Sequence, residues 1–370
     1  MALALDVSGR CNMKCAYCFE GETQPSRPAF TQKTLTRSIE FLFTHSDPHK
    51  PLSFHFGSGE PLLEPELLRF AGRQVKAMAR SLKRDYSLHL TTNGTLLNRE
   101  IIDWLIEDGW GLKISLDGGE AIHDRYRRDR AGRPTYGIIA DHVKSLALAI
   151  PERLVVNAVL THGVSSSRVF EEIAGLGVKY IELLPVIQKL PSPFVQNEED
   201  MVEYREFLIH YTERIAGGES APVLKNFLIR LFRVMGFDNK RTSCGAGRDF
   251  FGIGADGLIY PCFRFVGLPD FQLGHLDDGL RRSRMRWFAD NYGLPYEQWD
   301  SCKECWSAPL CGGPCFSVME FMNYSPGPPP LGYCGMVQTD CEAAVWLIDV
   351  LKDTHPEYLF RFIGLNEDEI

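Results

Sequence analysis

Six short apolar runs punctuate the first 190 residues, and amphipathic stretches separate them. The runs are Leu3–Val7, Leu52–Phe56, Tyr86–Thr91, Leu112–Leu116, Leu154–Leu160 and Tyr180–Leu184. Gln32–Phe43, Pro65–Leu82 and Arg99–Glu107 between them carry apolar residues at helical spacing. Short strands alternating with helices predict an α/β fold, with a parallel sheet and right-handed crossovers.

The pattern then changes. Residues 188–197, with Pro191 and Pro193, read as a linker. Two helical patterns follow, Glu198–Ala216 and Val223–Val234, parted by Gly217-Gly218. From Cys244 onward glycine, proline and cysteine rise and periodicity fades. Asn323 to Tyr333 reads as a Pro/Gly-rich loop, and helical periodicity returns after Cys341. The expected organisation is 1–190, a helical linker region 191–240, a cysteine-rich domain 241–341 and a C-terminal helix 342–370. No internal repeat is visible.

Charge and composition narrow the function. The chain has 370 residues and a net charge of −8, so no basic surface for nucleic acid is implied globally. Two local basic runs, Arg125 to Arg133 and Arg281 to Arg286, read as solvated faces, or as a patch that grips an acidic peptide. No stretch is long enough to span a membrane, and no signal peptide precedes the first strand; a cytoplasmic protein is expected. Eleven cysteines in a reducing compartment favour metal ligation over disulfides.

Three of these cysteines, Cys11, Cys15 and Cys18, follow the first predicted strand with C-x3-C-x2-C spacing. An aromatic residue, Tyr17, precedes the third. Three thiolates on one loop can hold three irons of a [4Fe–4S] cluster and leave the fourth iron open. A zinc site is an alternative, though it usually takes four ligands. Buried structural cysteines are another. The run closely resembles the signature of the radical SAM enzymes. So do Gly57-Ser58-Gly59-Glu60-Pro61 after the second strand and Ile114-Ser115-Leu116-Asp117-Gly118 after the fourth.

The resemblance implies a partial (β/α)6 barrel whose open iron chelates S-adenosylmethionine. It also implies cofactor contacts from Tyr17, Ser58, Gly59, Glu60, Ser115, Asp117 and Asn157. Glu60 would accept a hydrogen bond from the cofactor's amino group. Ser58 replaces a family glycine. Asn157 has a neighbouring backbone group as its competing partner, and Asn93-Gly94 is equally a plain turn signal.

A second cysteine field contains Cys302, Cys305, Cys311 and Cys315, preceded by Cys244 and Cys262 and followed by Cys334 and Cys341. It resembles the SPASM extension, which usually carries two auxiliary [4Fe–4S] clusters. By that resemblance Cys302, Cys305, Cys311 and Cys334 hold the outer one. Cys244, Cys262 and Cys315 hold the inner one. Cys341 is either its fourth ligand or a buried helix cysteine. A zinc ribbon is the competing reading.

Tyr260 to Gly267 and Phe271 to Leu276 resemble the peptide-maturing SPASM enzymes. Those enzymes modify ribosomal precursor peptides by forging C–C or C–S crosslinks. The related sulfatase-maturing enzymes carry an aspartate base immediately after the equivalent of Cys262. Phe263 stands there in this chain, so formylglycine formation is disfavoured. The implied partners are a precursor peptide, a separate leader-binding protein and an electron donor such as flavodoxin or ferredoxin. Oxidation of a protein side chain or small molecule is the alternative activity, and a non-catalytic iron–sulfur electron carrier a remote one. No catalytic residue is assigned. His123, Asp124, Tyr126 and Arg264 are candidates for peptide contacts or proton transfer, with solvated loop residues as the competing and commoner reading.

Overall fold

The computed structural model describes residues 1–20, 27–238, 241–322 and 331–364. The chain forms two compact units. One comprises Met1–Ser115, Asp124–His142 and Gly245–Leu294; the other comprises Leu116–His123, Val143–Cys244 and Pro295–Ile370.

The first unit is built on β1 (Ala2–Leu5), β2 (Leu52–Phe56), β3 (Tyr86–Thr92) and β4 (Gly111–Ser115), paired in that order and parallel. Alternation decides which way each side chain points. Leu3, Leu5, Phe54, Phe56, Leu90 and Ile114 are fully buried on one face. The other face carries Ser53, His55, Ser87, His89 and Lys113, all half-buried. The helices between the strands start where the sequence supplies caps. Thr31 accepts from the Thr34 amide at 3.1 Å to open Gln32–His45, and Asn98 accepts from Ile101 at 2.9 Å to open Arg99–Glu107.

The second unit pairs β5 (Leu154–Leu160), β6 (Tyr180–Pro185) and β7 (Val223–Leu224), again in parallel. The helix Glu198–Ala216 opens on a capping box between Asn197 and Asp200. This is the α/β class with parallel strands that the alternation predicts.

Three local expectations change. Val223 and Leu224 are a strand rather than the first turn of a helix, which begins at Lys225. Phe250–Ile253, here β8, lies in the cysteine-rich region yet pairs with β1 in parallel. It leads into the antiparallel strands β9 (Leu258–Tyr260), β10 (Gly274–His275) and β11 (Gly279–Leu280). The last long helix starts at Leu331, so Cys334 and Cys341 both lie on it. Residues 323–330 of the Pro/Gly-rich loop lie outside the described residues. Among the described residues no helix is long and apolar enough to cross a membrane.

Candidate active site

The chain leaves β1 and enters the loop that bears Cys11, Cys15 and Cys18. Backbone bonds pin this loop to the segment 126–130. Lys14 N–H donates to Arg128 O and Ala16 N–H to Tyr126 O, both at 2.9 Å. The Arg130 guanidinium donates to Cys11 O at 2.7 Å. Tyr17 is buried, with its hydroxyl accepting from Arg127 at 2.9 Å and its ring edge-on to Tyr126. The basic run at 125–133 therefore does more than face solvent, since Arg127 is buried beneath the cysteine loop.

The three cysteines share this loop, and their charges act on one another. Burial pushes the Cys11 thiol up to about 12, and Glu60, Cys15 and Cys18 add to the effect. A buried thiol of this kind is inert until a cation holds it as thiolate. Among the described residues no three His, Cys, Asp or Glu side chains converge on a single-ion position. A cubane cluster asks for something else, since each cysteine binds its own iron. The donor set fits that group.

After β2 the backbone turns sharply. Ser58 and Gly59 both take left-handed conformations, with φ of 68° and 54°. A Cβ on Gly59 would lie 2.4 Å from Arg10 O, so only glycine lets the turn rest on the cysteine loop. Glu60 N–H donates to that same Arg10 carbonyl at 2.8 Å. The Ser58 hydroxyl is buried without a hydrogen-bond partner among the described residues. A buried orphan hydroxyl is what a polar ligand would satisfy.

Serine here is strained where glycine would not be. Ser58→Gly is expected to raise thermal stability by about 1 kcal/mol at most, because a left-handed non-glycine residue costs roughly that much. Loss of the hydroxyl should weaken retention of S-adenosylmethionine. Paired melting and ligand-binding measurements would check both signs.

Glu60 is fully buried. Its carboxylate accepts from Leu62 N–H at 2.9 Å, Thr92 Oγ1 at 2.7 Å and Asn93 N–H at 2.7 Å. Burial pushes its carboxyl up to about 7, against the pull of these bonds and of Arg127. Asn93 also ties the third-strand loop to the cysteine loop. Its amide donates to Asn12 Oδ1 at 2.8 Å and approaches Cys11 Sγ at 3.8 Å. Sequence reasoning left Asn93 undecided and passed over Thr92 and Arg127. The Thr-Thr-Asn-Gly-Thr run was the available signal.

Ser115 ends β4, half-buried. Asp117 and Asn157 belong to the second unit, where Leu116 N–H donates to Asn157 O at 2.9 Å. Asp117 accepts from Val159 N–H at 3.0 Å. Asn157 donates to Glu182 O at 3.3 Å, so the neighbouring backbone is a partner as the sequence allowed.

His123, Asp124, Tyr126 and Arg264 depart from the expectation of solvated loop residues. His123 is wholly buried and accepts from Asp117 N–H. Asp124 accepts from Thr135 and Tyr136 amides and so fixes the start of the following helix. Arg264 stacks over Phe19 at 4.6 Å and near Phe263 at 5.5 Å.

In the second unit Cys302, Cys305, Cys311 and Cys334 form one electrostatic group. The Cys334 thiol is raised by burial and then by Cys311, Cys302 and Cys305. Cys305 Sγ accepts from Gln338 Nε2 at 3.5 Å. Ser243 Oγ donates to Pro314 O at 2.8 Å, which lays the segment before Cys244 along the one before Cys315. Cys262 follows β9 in the first unit. Cys341 is fully buried on its helix, and the charges that act on it come from Arg230, Asp340, Cys311 and Arg233.

Residues 5–175 match the Radical SAM superfamily. The cysteine-type anaerobic sulfatase-maturating enzyme of Clostridium perfringens (strain 13 / Type A) is 23% identical over 330 residues. The alignment spans 84% of this chain and 86% of that enzyme. The structure of native anSMEcpe with bound AdoMet superposes with a TM-score of 0.79 at 20% identity, covering 95% of this chain and 99% of that one. Streptococcus suis SuiB bound to precursor peptide SuiA gives 0.60 at 16% identity, covering 89% and 74%.

Proposed function

We propose that this chain, whose residues 5–175 match the Radical SAM superfamily and which is similar to a sulfatase-maturating enzyme over 84% of its length, is a peptide maturase. Its reaction is an oxidative crosslink, C–C or C–S, between side chains of a ribosomal precursor peptide. When bound, a reduced [4Fe–4S] cluster and S-adenosylmethionine supply a 5′-deoxyadenosyl radical that abstracts a substrate hydrogen. Cys11, Cys15 and Cys18 would hold that cluster. Ser58, Gly59 and Glu60 would receive the cofactor's amino end, with Tyr17, Ser115, Asp117 and Asn157 as further contacts. The cysteines from Cys244 to Cys334 would hold two auxiliary clusters that take the surplus electron. Cys341, on which Arg230, Asp340, Cys311 and Arg233 act, is either the fourth ligand of the inner cluster or a buried helix cysteine.

Phe263 carries the choice of reaction. It follows Cys262, packs edge-on against Phe250 at 6.5 Å and lies near the Arg264 guanidinium. A phenyl ring cannot take a proton, so no carboxylate base stands at that position. The peptide substrate draws support from SuiB, whose structure holds its precursor. Side-chain oxidation is the second reading, favoured by the activity named for the Clostridium relative.

Mass spectrometry of a co-expressed precursor tests this. Each crosslink should remove two hydrogens, about 2 Da, with the cofactors carrying off the hydrogen and electron. Tandem fragmentation should fail between the joined residues. A product that reacts with hydrazide, as an aldehyde does, would establish the second reading instead. An unchanged precursor beside robust cleavage of S-adenosylmethionine triggered by a small metabolite would exclude both peptide readings.

A further inference from the structure

Two arginines of the second unit converge on one cluster-bearing loop. Arg230 and Arg233 lie three residues apart on the helix Lys225–Val234, hence on one face. Arg230 Nη1 donates to Leu310 O at 3.2 Å and reaches Cys311 O at 3.5 Å. Arg233 Nη1 donates to Leu310 O at 3.0 Å and also to Cys311 O. These carbonyls close the short helix Ala308–Cys311, where backbone acceptors lack helical partners. Gly312 makes the approach possible. Its φ is +77°, and a Cβ there would lie 2.9 Å from Arg233 Nη1 and 2.8 Å from Thr242 O.

The arrangement is buried and charged. Arg233 is only 6% exposed. The Arg230 Nε–H is buried with no hydrogen-bond partner among the described residues. A buried guanidinium N–H without a partner among the described residues leaves room for a further acceptor beside the cysteine loop. Both guanidiniums act on the Cys311 sulfur and on Cys341. Asp238 offsets part of the Arg233 charge at 3.4 Å, and Asp340 acts on Arg230. Asp340 itself is held by Tyr204 at 2.6 Å and by Asn226, so it hydrogen-bonds away from the clamp.

We propose that Arg230 and Arg233 are positioning residues that set the reduction potential of the auxiliary cluster held through Cys311, making it an electron acceptor. This rests on the reading that Cys302, Cys305, Cys311 and Cys334 ligate that cluster. Reduction adds one negative charge to a site whose four cysteines are half-buried. Fixed cations beside a ligand sulfur stabilise the reduced form and raise the potential. Arginine suits the task because it stays charged when buried. Oxidative closure of a substrate radical releases one electron, and a raised potential lets the cluster take it.

The test is a mediator titration of the anaerobically reconstituted full chain, followed by electron paramagnetic resonance. The double variant R230Q/R233Q should hold full iron yet shift the couple by about tenfold in its reduced-to-oxidised ratio, about 59 mV lower for one electron. R230K/R233K, which keeps both charges, should stay near the wild-type potential. A glutamine variant that loses the cluster while its lysine counterpart keeps both iron and potential also supports the clamp. Unchanged potential in the glutamine variant overturns the proposal. So does an equal shift, or equal iron loss, in both variants, because the fork rather than the charge would then matter. C311A separates this from the reading beneath it. It should lose about four irons, one cluster's worth; undiminished iron there would remove the ligand assignment itself.

Discussion

Replacing Cys11, Cys15 and Cys18 together by alanine is expected to abolish the reductive cleavage of S-adenosylmethionine. Product 5′-deoxyadenosine should fall to the background of the cofactor in buffer. With the three [4Fe–4S] clusters proposed above, iron should fall from about twelve to about eight atoms per chain, since only the N-terminal cluster would be lost. The loop itself should survive. It is anchored through backbone groups, Lys14 to Arg128 and Ala16 to Tyr126, which the substitutions leave untouched. Tyr17 also keeps its Arg127 partner. An unchanged circular dichroism spectrum beside vanished activity would therefore locate the defect in the metal. Wild-type product rates in the triple variant would end the radical SAM assignment. One zinc per chain in the wild type would instead revive the zinc reading.

The longer strands were legible because their side chains obey a local rule. Leu52–Phe56 and Leu154–Leu160 alternate buried and half-buried positions along their full length. β7 was not legible. Its two residues form a strand only because Val223 finds Tyr180 opposite, and no local pattern records that pairing. β8 has the same character, since Phe250–Ile253 reads as loop until β1 is placed beside it. The helix from Leu331 was masked by Gly332, Gly335 and the prolines before it, which lower helical propensity locally while tertiary packing overrides it.

The site divides along the same line. The spacing of Cys11, Cys15 and Cys18 marked them as candidate cluster ligands, and the resemblance did the same for the second cysteine field. Polar residues that support them were misjudged because burial is not written locally. Arg127 sits in a run of basic residues and looks solvated, yet it is buried against Tyr17. Asp124 looked like a candidate for proton transfer, yet it is occupied by two backbone amides. Asn93-Gly94 does make a turn, and Gly94 has a φ of +77°. The same Asn93 also bridges Glu60 and Asn12, so the turn ties the third-strand loop to two other segments.

Glu60→Gln should separate cofactor binding from folding and should change the pH dependence of stability. Three donors point at the Glu60 carboxylate, from Leu62, Thr92 and Asn93. An amide has one oxygen and one NH2 group, so at least one of these meets another donor. Such a buried mismatch costs about 1–3 kcal/mol. Separately, loss of the carboxylate's charge should weaken retention of S-adenosylmethionine, whose amino end Glu60 is proposed to receive. The pH effect has the opposite sign from the usual carboxylate. Burial holds the folded Glu60 carboxyl near 7, above its ordinary 4.5. Between those values the folded chain binds more protons than the unfolded one, so stability falls as pH rises through that window. The gap corresponds to a few kcal/mol at most, on the order of 3. Glutamine is neutral throughout, so the difference between wild type and E60Q should shrink or reverse from pH 5 to pH 7.5. Urea unfolding of both proteins at the two pH values measures it. Parallel behaviour would mean that Glu60 does not titrate in this window, leaving a stability cost independent of pH and weaker cofactor retention as the effects of the substitution.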